Sequence, residues 1–195
     1  MQKGRKQRYI IAYSFLCISV VVFVLLNIGI GSVSISFTDI LHAFSGHETD
    51  ATTASILFDI RMPRTAAVLI LGGALALAGY LLQTFFYNPI AGPFVLGISS
   101  GAKLTVSLVM VFLLGNTAGV SSALLIVTAF AGAMLVTGFV LLAARRVHQM
   151  SMLVVCGVMI GYICSAVTDF VVTFADDSNI VNLHNWSLGS FSGTT

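Results

Sequence analysis

The sequence predicts an all-α, polytopic transmembrane helical bundle, with about five spans in a single membrane domain over residues 1–195. Three observations predict it. Hydrophobic residues make up 57% of the chain and charged residues only 8%, with a mean hydropathy of +1.01, far outside the range of water-soluble domains. Stretches 10–30, 65–86, 123–144 and 152–174 each supply the roughly 20 apolar residues needed to cross about 30 Å of hydrocarbon. Within those four stretches Asp169 is the only charged residue. The net charge of +2 excludes little, because placement of charge matters more than its sum in such chains. Nothing points to a nucleic-acid partner.

The first span follows a basic segment, Lys3, Arg5, Lys6 and Arg8. Its apolar run is too long for the core of a signal peptide and no small-residue cleavage pattern follows, so a retained helix is expected. With the N-terminus cytoplasmic, alternation places Lys3, Arg5, Lys6, Arg8, Lys103, Arg145 and Arg146 in inner loops, seven of the nine basic residues, as the positive-inside rule asks. The outer connection over 31–59 carries Phe37, Ile40, Leu41 and Phe44 at helical spacing, which predicts a short surface helix.

The second span, 65–86, is entered through Arg61-Met62-Pro63-Arg64. With Pro63 starting the helix, the two arginines lie three apart on one face. Cations at a helix N-terminus oppose its dipole by roughly 0.3–1 kcal/mol each when exposed, and these lie on the side basic residues avoid. Carboxylates of an outer protein partner would suit them, since arginine grips carboxylates in a planar fork. Neutralisation by Asp59 and lipid headgroups is the equal alternative. Further along, Gly72, Ala76, Gly79 and Gln83 form one small, finally polar stripe, suited to close helix packing or, at Gln83, a wet cavity.

After Phe86 the sequence Tyr87-Asn88-Pro89-Ile90-Ala91-Gly92-Pro93 forbids continued helix. Such backbone is tolerated at membrane depth only where protein or water satisfies it, so a gate or path lining is weighed against a plain turn. Ser99, Ser100 and Lys103 extend this feature into the third span, 94–114, where only 104–114 is continuously apolar. It is counted as a span because the flanking loops otherwise fall on inconsistent sides. Gly97-Ile98-Ser99-Ser100-Gly101 also spells a hydrolase nucleophile motif, but no strand-to-helix elbow accompanies it. His148 falls in an inner loop and His184 in an outer one, so the match is chance.

On the fifth span, Gly157 and Gly161 make a common packing motif, and Asp169 is an intramembrane carboxylate near the outer end, a site candidate by default. Asp176 and Asp177 read as solvated loop charges. Cys17, Cys156 and Cys164 lie in apolar segments without metal or redox spacing and read as small hydrophobes. No cofactor, metal site or catalytic residue is expected. Asn185-Trp186-Ser187 spells a glycosylation sequon that nothing else supports.

Taken in order and spacing, Arg61-x-Pro63-Arg64, Gly79-x-x-x-Gln83, Asn88-Pro89-x-Ala91-x-Pro93, Leu96-Gly-Ile-Ser-x-Gly-Ala102 and Trp186-x-x-Gly189-Ser190 resemble the FecCD-like permeases of ABC importers for iron–siderophores, haem and cobalamin. The resemblance covers nearly the whole chain. It implies a bacterial cytoplasmic-membrane permease subunit of ten helices, paired with a second permease subunit as homo- or heterodimer. Two cytosolic ATPases would lie beneath and an extracytoplasmic substrate-binding protein above, with membrane lipid around. It further implies that Arg61 and Arg64 dock onto glutamates of the binding protein. The loops at 88–93 and 147–151, with His148 and Ser151, would border the cytoplasmic gate, and the fifth helix would line the path. Gly92 departs from the family, which usually carries an acid there, and Met62 replaces the usual leucine. The chain matches only the N-terminal half of such a permease, so by this pattern it would not couple to ATP hydrolysis alone. Two other readings stay open at this point: an ion-coupled secondary carrier using Asp169, and a non-transporting membrane scaffold.

Overall fold

The computed structural model describes residues 2–31, 33, 35–45, 50–113, 121–147 and 149–191, and helix is the only regular structure among them. The elements are α1 (Gln2–Gly29), α2 (Phe37–Ser45), α3 (Ala51–Ser55), α4 (Met62–Phe86), α5 (Ile98–Leu108), α6 (Ser122–Ala144), α7 (Met150–Val172) and α8 (Asp177–Leu188). Four helices are long and apolar enough to cross a membrane: Gly4–Gly29, Ala51–Phe86, Ser122–Ala144 and Met150–Val172. A shorter apolar helix covers Ile98–Leu113. The short helix predicted within the 31–59 connection is present as α2.

Two sequence-based expectations need correction here. Pro63 does not start the second long helix, which begins at Ala51. A π-helical stretch, Ile56–Arg61, joins α3 to α4, and Met62 N–H bonds to Leu57 O at its end. The wider turn relieves the clash that the Pro63 ring would otherwise make with the carbonyl four residues earlier. The outer connection therefore ends near residue 50 and not near 59. Lys103, in turn, is not in an inner loop but inside α5.

The chain forms two compact units, the first running to Gly72 and taking in Phe191, the second spanning Gly73–Ser190. In the first, Leu57 is fully buried and Ile40 and Ile35 nearly so, while Phe44 and Phe58 meet edge to face at 5.6 Å. Arg61 is buried, with 8% exposure. Its guanidinium donates from Nη1 to Ile28 O and, at 3.0 Å, to Gly29 O, and from Nη2 to Val33 O. The last carbonyls of α1 have no partner within the helix, and α1 has no basic residue in its own last turn. Arg61 supplies the cation from elsewhere in the chain, at the helix end where the dipole favours it. One turn on, Thr65 Oγ1 donates to Asn27 Oδ1 at 2.8 Å, a polar fastening of α4 to α1.

The second unit is built on glycine contacts around α5. Gly101 and Gly132 bring α5 and α6 so close that a methyl group on Gly132 would overlap Gly101 O and Thr105 Oγ1. Thr105 Oγ1 lies 2.9 Å from Thr128 O across the same seam. Between α5 and α7, a methyl on Gly97 would sit 2.7 Å from Gly161 Cα, and one on Gly157 would sit 2.9 Å from Leu96 Cδ2. The Gly157/Gly161 motif thus receives the turn that opens α5. By contrast, methyls at Gly72, Gly73 and Gly79 would meet nothing within 4 Å.

Candidate functional site

The end of α4 sets the geometry. Tyr87 N–H bonds to Thr84 O and Asn88 N–H to Gln83 O, the paired pattern of a Schellman stop. That stop needs a left-handed residue after the cap, and here Tyr87 takes it, with φ of 49°. Asn88 Oδ1 then accepts Ile90 N–H at 3.0 Å, and Asn88 O accepts Ala91 N–H at 3.1 Å, so the first turn after the helix is closed by the asparagine. Pro89 is exposed and Pro93 half-buried.

Ala91 is fully buried and Leu96 nearly so, in a cluster with Phe86, Leu153 and Val154. Residues 88–97 accordingly run alongside the N-terminal half of α7. Gly97, left-handed at φ 73°, ends the segment and caps α5 against Gly161, about half-way along α7. From there α5 and α7 run parallel: Ser100 faces Ser165, with hydroxyls 3.5 Å apart, and Val106 and Met110 cluster with Val172. The helical part of the third predicted span is short because irregular backbone carries the first part of its length. This backbone is held inside protein, as membrane depth requires.

This register places Lys103 between the level of Ser165 and that of Val172, towards the opposite end of α7 from Arg145 and Arg146. A half-buried Lys103 there lines a groove of about 500 Å³ with Ser99, Ser100, Ser165, Trp186 and Ser187. A second groove of about 310 Å³ shares Phe94, Ser100 and Ser165 with it and reaches Gly97, Gly161 and Tyr162. Trp186 comes from α8, a helix not anticipated from sequence. Its signals were Asp176 at the N-cap, Asp177 in the first turn and inward Leu183 and Trp186 three apart, masked by low overall hydropathy.

Of the residues singled out from sequence, Ser99 and Ser100 are brought together at these grooves. Asn88 and Pro93 shape the segment leading to them. Gln83 is exposed on the last turn of α4, Ser151 is exposed on the first turn of α7, and Asp169 is exposed on α7 outside both grooves' linings. Arg64 is half-buried and belongs with Arg61 to the first unit. His148 lies outside the described residues. Among the described residues no three His, Cys, Asp or Glu side chains gather as a metal centre would require. Lys103, Ser165, Trp186 and Ser187 were missed as a group because they meet only through the register of α5, α7 and α8.

The chain has relatives of known sequence and fold. Vitamin B12 import system permease protein BtuC from Klebsiella pneumoniae subsp. pneumoniae is 42% identical over 137 residues, covering 70% of this chain and 40% of that protein. The same-named protein of Salmonella newport is 41% identical over 137 residues, covering 70% and 41%. A metal-chelate type ABC transporter solved in an inward-facing conformation superposes with a TM-score of 0.74 at 24% identity, covering 92% of this chain and 53% of that one. The chain thus spans about two-fifths of the length of these curated relatives. Residues 19–195 match the FecCD transport family, and with that match over nearly its whole length the chain belongs to the FecCD transport family.

Proposed function

We propose that this chain is the N-terminal portion of a permease subunit of an ABC importer, forming one side of a translocation path for a bulky metal chelate, an iron–siderophore or a corrinoid. The supporting observation is the irregular segment 88–97, buried beside half of α7 and ending where α5 begins. It leaves hydroxyl-lined grooves at that level, which a purely structural bundle does not need. Cargo of the corrinoid kind fits the named relatives. The expected partners are a second permease subunit, two cytosolic ATPases that carry out all catalysis, and an extracytoplasmic binding protein, in a bacterial cytoplasmic membrane with the N-terminus inside. Lys3, Arg5, Lys6, Arg8, Arg145 and Arg146 support that orientation.

Binding-protein docking falls to the Arg61–Arg64 corner, with Arg64 as the contacting group and Arg61 holding that corner to the end of α1. Gln83, Asn88, Pro89, Pro93, His148 and Ser151 belong to the gate side of this reading, and Ser99, Ser100 and Asp169 to the path. The test replaces Pro93 or Asn88 with alanine in the complete importer and measures uptake of a labelled corrinoid and a labelled ferric chelate. Uptake should fall at unchanged membrane levels of the permease. Undiminished uptake of every chelate that the parent imports would remove the path assignment. Separately, Arg64→Glu should weaken co-purification of the binding protein, and unchanged co-purification would remove docking.

A further inference from the structure

The larger groove holds one ionisable side chain, Lys103, among hydroxyls and an indole: Ser99, Ser100, Ser165, Ser187 and Trp186. In a membrane helix a lysine is costly, and it persists where it faces water, a partner or a path. Snorkelling to the nearer membrane face is the bland explanation. A side chain on α5, however, leans towards that helix's N-terminus, which here means towards Ser99 and Ser100, into the groove and away from the near end of α7. The Lys103 side chain forms no hydrogen bond or ion pair among the described residues. We infer that this groove is an anion subsite: Lys103, with serine hydroxyls as further donors, takes the carboxylate, phosphate or catecholate oxygens of a negatively charged chelate. The inference rests on the permease reading and adds a charge class for its cargo.

Acidic residues at the same end of the second unit work against it. Asp169 lies four residues beyond Ser165 on α7, and Asp176 and Asp177 sit at the α7–α8 turn, all three exposed. Asp169 is one turn from the groove-lining Ser165, about 6 Å at helical rise, which is within a screening length of about 8–10 Å, but it stands outside the lining, whereas Lys103 lines the groove itself, so the cation is the charge that an occupant of the groove meets directly.

The experiment uses the whole chain in detergent or nanodiscs, with Cys17, Cys156 and Cys164 changed to alanine and Ser165→Cys as the probe. Labelling rates are measured with two thiol reagents of similar size, one bearing a sulfonate and one a quaternary ammonium, each normalised to a free thiol in solution. The sulfonate reagent should be favoured about fivefold or more, the effect of one cation at several ångströms in partly aqueous surroundings. Lys103→Arg should keep the preference and Lys103→Met should abolish it. A ratio unchanged by Lys103→Met, or a preference for the ammonium reagent, overturns the anion subsite while leaving the path reading in place. Equal rates that become sulfonate-selective only with Asp169→Asn would show the lysine neutralised by that carboxylate, and would also overturn it. No reaction with either reagent would mean a dry groove, and would overturn both the subsite and the path reading.

Discussion

Replacing Arg61 tests whether the first arginine of the pair is a structural clamp. Its guanidinium satisfies three carbonyl oxygens, those of Ile28, Gly29 and Val33, from a position only 8% exposed. Glutamine retains one amide donor group, so Arg61→Gln loses about two of the three bonds. Each bond from a charged donor contributes about 1.5–3 kcal/mol, less at exposed Val33 and at Gly29 O, which also accepts the Ile35 N–H, and loss of the cation from the end of α1 adds about 0.3–1 kcal/mol. Partial entry of water lowers the total, which comes to about 2–4 kcal/mol. At about 2–4 °C per kcal/mol for a chain of this size, apparent Tm should fall by roughly 5–15 °C.

The assay is thermal unfolding of the purified chain in a mild detergent, followed by loss of the monodisperse peak. Arg8→Gln, at an exposed position of α1, is the charge-matched control. Arg61→Lys should fall in between, because an ammonium keeps the charge but lacks the planar fork that reaches three acceptors. If Arg61→Gln unfolds at the temperature of Arg8→Gln, the clamp is refuted and Arg61 is again available as a docking group equal to Arg64.

Gly132→Ala should destabilise by about 1–3 kcal/mol, because its methyl overlaps Gly101 O and Thr105 Oγ1. Gly138→Ala, with nothing within 4 Å, should be neutral or raise stability by up to about 1 kcal/mol through helix propensity; the same unfolding assay separates them. Tyr87→Gly should raise stability by about 1 kcal/mol, since tyrosine at φ 49° carries the left-handed penalty and is 91% exposed. A fall in Tm would show that its ring makes contacts outweighing that penalty. Asn88→Ala should cost about 0.5–1.5 kcal/mol by freeing the Ile90 N–H, and amide exchange at Ile90 should quicken.

Much of the bundle was legible because length and apolarity suffice to mark a membrane helix: α1, α6 and α7 lie within a few residues of the predicted spans at one or both ends. The start of the second long helix was not, because proline was read as an initiator when a π-helical stretch upstream accommodates it. The environment of Arg61 was illegible for a different reason. Its partners are backbone carbonyls about thirty residues earlier, and carbonyls leave no mark in sequence. The pairing of the two arginines on one face suggested a shared task, whereas burial separates them.

Lys103 shows how a charge rule goes wrong when a span is broken. Counting it as an inner-loop residue assumed that a helix beginning near residue 94 must begin at the membrane surface. Gly97 instead meets Gly161, eleven residues and about 16 Å along α7 at helical rise, so every residue after it lies that much deeper than the count assumed. The same displacement explains why Ile98–Leu113 is too short to cross alone and yet reaches Val172. A substitution that let residues 88–97 become helical would have to push α5 along α7 or break the Gly97–Gly161 contact. Gly97→Ala puts both strains on one residue, a left-handed φ of 73° and a methyl 2.7 Å from Gly161 Cα. It should therefore loosen the α5–α7 seam and open Ser165→Cys to thiol reagents of either charge. Labelling unchanged in rate and in charge preference would show that this seam does not set the position of α5.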